Sequence, residues 1–170
     1  VEGEADVTAS NERIERVRAS LPGIHLDPAG GPGLQQLLAQ VAALEPIRMA
    51  VVHPCDQPSL SAALDARDAG MIEPILVAPR PRMEGVAADS GIDLAGVTIE
   101  DVAHSHAAAA RAVELARDGK VEALMKGSLH TDELMAAVVK ADTGLRTERR
   151  MSHVFALDVP HYSKPLLITD

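Results

Sequence analysis

The sequence predicts an α/β protein of three layers, a mostly parallel sheet with helices on both faces. Short apolar runs rich in β-branched residues alternate with amphipathic segments of helical length, the pattern of βαβ units. Within 170 residues, Phe155 and Tyr162 are the only Phe, Tyr or Trp. The core is therefore expected to consist of Ala, Leu, Val, Ile and Met. It gains less per residue than a core with large rings, and its small side chains suit close helix-on-sheet contact.

The elements follow in order. "VEGEADVTA" reads as a strand, with Val1, Ala5 and Val7 mostly on one side and acids on the other. "SNERIERVRASLPG" is charged and ends in Pro22-Gly23, which marks a linker. Gly30-Gly31-Pro32-Gly33 breaks the chain before "LQQLLAQVAALE", whose Leu34, Leu37, Leu38, Val41 and Leu44 line one helical face. "IRMAVV" is a strand, and "SLSAALDARDAG" a helix with Ser59 or Ser61 as cap and Gly70 as stop. "EPILVA" is the next strand, residues 79–91 hold a short helix, and "VTIEDV" is a further strand. "SHAAAARAVELARDG" is a helix with Ser105 as N-cap and Gly119 just past its end. "VEALM" is a strand and "TDELMAAVVKA" a helix capped by Thr131. "SHVFALDV" and "PLLIT" lie too close for a crossover and are expected to pair as an antiparallel hairpin.

Composition excludes some partners. With 25 acids against 16 bases the net charge is −9, which argues against a nucleic-acid or anionic-membrane surface. Cys55 is the single cysteine, so no intrachain disulfide forms and a reducing, cytoplasmic setting fits. No apolar run approaches the ~18 residues of a membrane span, and "VEGEADVTAS" lacks the features of a signal peptide. The chain starts in a strand without methionine and stops at "LLITD" on the carboxyl end of another. It is accordingly read as a portion of a longer protein.

Three groups of residues carry candidate chemistry. In "ALMKGSLHTDELMAAVV" a strand runs through Lys126-Gly127-Ser128 into a helix, bringing together a cation, flexible backbone and unpaired N–H groups able to hold an anion. The alternative is a tight turn before a capped helix, whose Asp132 and Glu133 already complement the dipole. The spacing is not that of a P-loop. "GLRTERRMSH" concentrates Arg146, Arg149 and Arg150, whose planar forks suit phosphate or carboxylate; pairing with acids such as Glu148 is the alternative. His104, His106, His130 and His153 lack metal-ligand spacing and read as helix-entry and turn histidines. Cys55 beside His53 is either a nucleophile or a buried structural thiol. No G-x-S-x-G motif and no G-x-G-x-x-G after a strand is present.

"AVVHPCD", "PILVAP", "HSHAAAARAVELARDGKVEALMKGSLHTDELMAAVV", "TGLRTERRMSHVFALDVP" and "KPLLITD" resemble the phosphate acetyltransferase/butyryltransferase family. The likeness runs from about Leu44 to Asp170. It is nearest to bifunctional proteins that join a hot-dog enoyl-CoA hydratase to such a transferase, "VEGEADVTA" resembling the hydratase's last strand. The resemblance implies a remnant of hydratase domain and linker over 1–18, and the N-terminal part of a transferase domain over 19–170. It implies a subdomain of an isocitrate/isopropylmalate dehydrogenase-like fold, usually homodimeric, that converts acyl-CoA and phosphate to acyl phosphate and free coenzyme A. No metal and no covalently bound cofactor is implied; coenzyme A enters as substrate.

Residue by residue, Arg146 matches the motif arginine near phosphate or coenzyme A. Lys126, Gly127 and Ser128 match the cleft-lining loop, and Ser152 and His153 the strand start that faces it. The family's catalytic Ser-Arg and acidic base belong to a second half beyond this chain, so this portion alone is expected to be inactive. The rival readings are a metal-dependent oxidative decarboxylase on the same scaffold and a non-catalytic dimerisation module.

Overall fold

The computed structural model describes residues 31–159, 162, 164 and 166–169. The expected strand "VEGEADVTA", the linker after it and the boundary at residues 18 and 19 lie outside them. In chain order the elements are α1 (Pro32–Val41), β1 (Ile47–Val52), α2 (Gln57–Asp68), β2 (Ile72–Ala78), α3 (Arg80–Ser90), β3 (Thr98–Asp101), α4 (Ser105–Arg117), β4 (Ala123–Lys126), α5 (Thr131–Val138), β5 (Val154–Leu157) and β6 (Leu166–Thr169). The chain divides into two compact units, Val41–Met151 and a second that holds the remaining described residues.

The larger unit is a four-stranded parallel sheet in the order β3-β2-β1-β4. Alternation along each strand sorts its side chains to two faces. Ala50, Val52 and Val77 meet Ala108, Ala109, Ala112 and Leu115 of α4 and Leu134 of α5. On the other face Val51, Leu76 and Ala78 meet Leu60 and Ala63 of α2 with Met83 and Ala87 of α3. Helices therefore flank both faces, as the alternating pattern predicts. Ala108, Ala109 and Ala112 of α4 are essentially sealed from solvent, and their short side chains bring the helix close to the sheet. Pro74 precedes Ile75, where pairing with β3 begins, so its missing N–H falls where β2 has a neighbour on one side only.

The caps differ from the sequence expectation. Asp56, not Ser59 or Ser61, caps α2: its Oδ1 accepts from the Ser59 N–H at 2.9 Å, with Pro58 in the first turn. His104 rather than Ser105 caps α4, its Nδ1 accepting from the Ala107 N–H at 3.2 Å. His130 rather than Thr131 precedes α5 and makes no side-chain cap bond. Asp56 lies three residues before Ser59, and His104 and His130 one residue before Ser105 and Thr131; each occupies the extended backbone position that a cap requires. Asp56→Ala is expected to cost about 1 kcal/mol of stability, measured by urea unfolding. A loss under about 0.3 kcal/mol would show that Ser59 or Ser61 takes over the cap.

In the second unit β5 and β6 pair antiparallel, Val154 opposite Thr169 and Leu157 opposite Leu166, as expected for a hairpin. Asp158, just after β5, accepts from the Leu34 N–H at 2.9 Å and so caps α1 from a distance in sequence. A Cβ on Gly31 would lie 2.5 Å from that carboxylate. The expected stripe of α1 is not buried: Leu34, Leu37 and Leu38 stay exposed, as do Val154, Phe155, Leu167 and Ile168 of the hairpin.

Candidate functional site

The strand order reverses at β1: the chain steps outward through β2 and β3, then returns to place β4 on the other side. In open α/β sheets ligands bind beyond the carboxyl ends of the two strands flanking such a reversal. Here those ends are His53-Pro54-Cys55 and Gly127-Ser128, brought together from 75 residues apart. The β1–β4 ladder runs into this junction. Gly127 N–H donates to Val52 O at 2.9 Å and Ser128 N–H to His53 O at 2.9 Å.

Ser128 knits the junction further. Its Oγ donates to His53 O at 2.9 Å, accepts from the Cys55 N–H at 3.2 Å, and lies 3.2 Å from His53 Nδ1. His53 has φ 56°, the left-handed region, where a residue bearing Cβ is strained. It is also buried. Burial, then the nearby Arg82 guanidinium, holds its imidazole below the usual histidine range, against the opposing pull of Glu133 and Asp56. Burial likewise pushes the Cys55 thiol up, with Arg82 opposing. Of the two readings of Cys55, these surroundings match the buried structural thiol.

Lys126 folds back on its own loop, its Nζ donating to Gly127 O at 3.1 Å and Leu129 O at 2.8 Å. Arg146 lines a cavity of about 640 Å³ with Val139, Leu145, Thr147, Glu148, Arg149, Arg150 and Met151. Lys126 is not among its lining residues. No ion pair joins Glu148 to the three arginines among the described residues. Ser152 and His153 belong to the second unit, where Ser152 Oγ lies 3.1 Å from Thr169 Oγ1 and that hydroxyl donates to His153 O at 2.9 Å. The structure thus brings Lys126, Gly127 and Ser128 together with His53, and gathers Arg146 with Arg149 and Arg150.

Among the described residues His104 and His106 have local partners, His104 in its helix cap. His106 Nδ1 lies 3.3 Å from Glu133 Oε2. A hydrogen bond from Ser105, then the charge of His106, holds the Glu133 carboxyl below the usual carboxylate range. Among the described residues no three His, Cys, Asp or Glu side chains gather as a metal ion would require. Nor is any helix among them long and apolar enough to cross a membrane. Sequence reasoning passed over Arg82 of α3, whose positive charge acts on both His53 and Cys55. A second cavity, of about 560 Å³, lies at the carboxyl ends of β2 and β3 and is lined by Arg82, Pro79, Pro81, Asp101, Val102 and Ala103. The only local signal was a basic first turn after a strand.

No family model matches the chain. Individual proteins do. A phosphate acetyltransferase from Rhizobium meliloti is 52% identical over 143 residues, 84% of this chain and 45% of that protein. A phosphate butyryltransferase from Clostridium acetobutylicum is 31% identical over 135 residues, 79% of this chain and 45% of that protein. Among solved structures, a branched-chain phosphotransacylase from Enterococcus faecalis V583 superposes with a TM-score of 0.58 at 20% identity, over 73% of this chain and 42% of that one. At that identity the likeness is one of fold. The chain spans less than half the length of the curated relatives it matches. Over most of its own length it is a homologue of the phosphate acetyltransferases and phosphate butyryltransferases.

Proposed function

We propose that the chain is part of a phosphate acyltransferase, which converts acyl-CoA and phosphate to acyl phosphate and free coenzyme A. The observation that carries this reading is the 52% identity to a phosphate acetyltransferase across 84% of the chain. Two features of the geometry support it: a glycine-containing loop at the strand-order reversal, and a cluster of arginines without carboxylate partners among the described residues. The reaction passes through a tetrahedral, negatively charged intermediate, which fixed cations and N–H donors stabilise. In this reading Lys126, Gly127, Ser128, Arg146, Ser152 and His153 contribute to binding, and the catalytic groups lie in a further part of the protein. The scaffold is isocitrate/isopropylmalate dehydrogenase-like, works as a cytoplasmic homodimer, and follows the remnant of a hydratase domain.

The test is thiol release by the full-length protein with acetyl-CoA or butyryl-CoA and phosphate, with and without EDTA. Phosphate-dependent, EDTA-insensitive release is expected. Metal dependence would favour the decarboxylase relative, and no release at all would leave a dimerisation module. Arg146→Ala is expected to lower kcat/KM for phosphorolysis of acetyl-CoA by about 10²-fold. Because Arg146 is exposed, the melting temperature should stay within about 2 °C. Unchanged phosphorolysis would remove Arg146 from the site.

A further inference from the structure

We propose that His53 is a positioning residue for acyl transfer: through Ser128 it fixes the loop after β4, and that loop holds the Lys126 ammonium in place. This rests on the acyltransferase reading. The backbone is the first argument. His53 stands at φ 56°, in the left-handed region. Pro54 follows it, and a proline pushes the residue before it toward extended backbone instead. Glycine would take the left-handed conformation without steric cost. A strained residue with a large side chain persists where its surroundings over-determine it, and such residues gather where chemistry is done.

The side chain supplies the reason for histidine. A hydroxyl has one hydrogen to give and two lone pairs to receive. The Ser128 hydrogen goes to His53 O at 2.9 Å, and one lone pair takes the Cys55 N–H at 3.2 Å. A lone pair is all that remains for His53 Nδ1, 3.2 Å away, so the ring donates from Nδ1 and completes the set. Burial, then the Arg82 charge, holds the imidazole below the usual histidine range. At neutral pH it therefore carries a single proton, the one on Nδ1. The Ser128 N–H also donates to His53 O, at 2.9 Å, so His53 grips Ser128 by its carbonyl and by its ring.

What this clasp holds is the carbonyl cradle of a cation. Gly127 and Leu129, on either side of Ser128, are buried. Both turn their carbonyls to the same ammonium: Lys126 Nζ donates to Gly127 O at 3.1 Å and to Leu129 O at 2.8 Å. An ammonium has three N–H donors. The loop engages two of them, and no carboxylate forms an ion pair with Lys126 among the described residues. The third donor is left for an oxygen of the substrate. The ammonium thus sits where two loop carbonyls put it, and releasing Ser128 would let both carbonyls turn. A displacement of about 1 Å at a reacting centre can cost about 10²-fold in rate.

The experiment compares His53→Gly and His53→Asn in the full-length protein, by thiol release from acetyl-CoA and phosphate. Glycine relieves the backbone and removes the ring. Asparagine tolerates the left-handed conformation and sets an amide N–H close to where Nδ1–H stands. His53→Gly is expected to lower kcat about tenfold or more, with KM for acetyl-CoA within about twofold of wild type. His53→Asn should bring kcat back to within about threefold of wild type. In a Lys126→Ala background, His53→Gly should change kcat by less than about twofold, because the cation that it displaces is gone. Thermal melts check that each variant is folded. Should His53→Gly not fold, Ser128→Ala opens the same clasp from the other side and is expected to give the same fall in kcat. Wild-type kcat in the folded variant, no rescue by asparagine, or the full loss repeated in the Lys126→Ala background overturns the proposal alone. No release of coenzyme A by the wild type overturns the acyltransferase reading, and this proposal with it.

Discussion

Gly127→Ala is expected to lower stability by about 3 kcal/mol, the upper end of what overpacking costs. For a unit of this size that corresponds to a fall in melting temperature of roughly 10–20 °C. The added Cβ would stand 2.6 Å from Val52 O and 2.7 Å from His53 O. Both obstacles are backbone, so no rotamer change can relieve them. Neither strand can step aside, because Gly127 N–H donates to Val52 O at 2.9 Å and Ser128 N–H to His53 O at 2.9 Å. Separating β4 from β1 by a few tenths of an ångström would lengthen both bonds and disturb the left-handed turn at His53. Thermal and urea unfolding of the variant measure the effect. A melting temperature within about 2 °C of wild type would show that the two strand ends do not approach this closely.

Leu76→Ala is expected to cost about 3–4 kcal/mol. Leu76 is fully buried in the middle of β2 and packs among Val51, Leu60, Ala63, Met83 and Ala87. Truncation removes its transfer free energy and leaves a hole whose cost depends on how far the walls collapse. Much of that wall is alanine, and no aromatic ring of the cluster can swing into the space. The flexible Met83 and Met125 are long side chains there able to adapt, which holds the estimate below the top of the usual range. Leu76→Met should cost under about 1.5 kcal/mol, since it conserves volume. Urea unfolding with an unchanged m-value would report stability alone. A loss below about 1 kcal/mol for Leu76→Ala would mean that the core closes around the gap more completely than its short side chains allow.

Much of the fold was legible locally. "IRMAVV", "EPILVA", "VTIEDV" and "VEALM" form four strands, and the segments between them form helices; burial on both faces leaves a mostly apolar run in the central strands β1 and β2, whereas the edge strand β3 carries Glu100 and Asp101. The hairpin followed from the short link between its strands. Caps were harder: Asp56 and His104 each sit one residue outside the helix that they cap, and several Ser, Thr, Asp and His candidates crowd each start. The stripe on α1 shows the opposite limit, since helical periodicity identified the apolar face but not whether anything covers it.

The candidate site was legible as a set of residues, less so as an arrangement. Lys126-Gly127-Ser128 stood out as a strand-to-helix seam, yet nothing in the spacing said that Ser128 would contact His53, 75 residues earlier. Nor did it say that the Lys126 ammonium would turn back to Gly127 O and Leu129 O. Arg146, Arg149 and Arg150 stood out by charge, but only the return of the loop toward Val138 and Lys140 makes them the lining of one cavity.

The sequence by itself determined the strand and helix alternation, the ring-poor core and the two basic segments, because each depends on neighbours a few residues apart. Strand order belongs to the tertiary structure alone. Setting β4 against β1 rather than beyond β3 satisfies backbone hydrogen bonds that no local pattern encodes. That choice carries Ser128 to His53, and so makes a site of two strand ends that the chain keeps far apart.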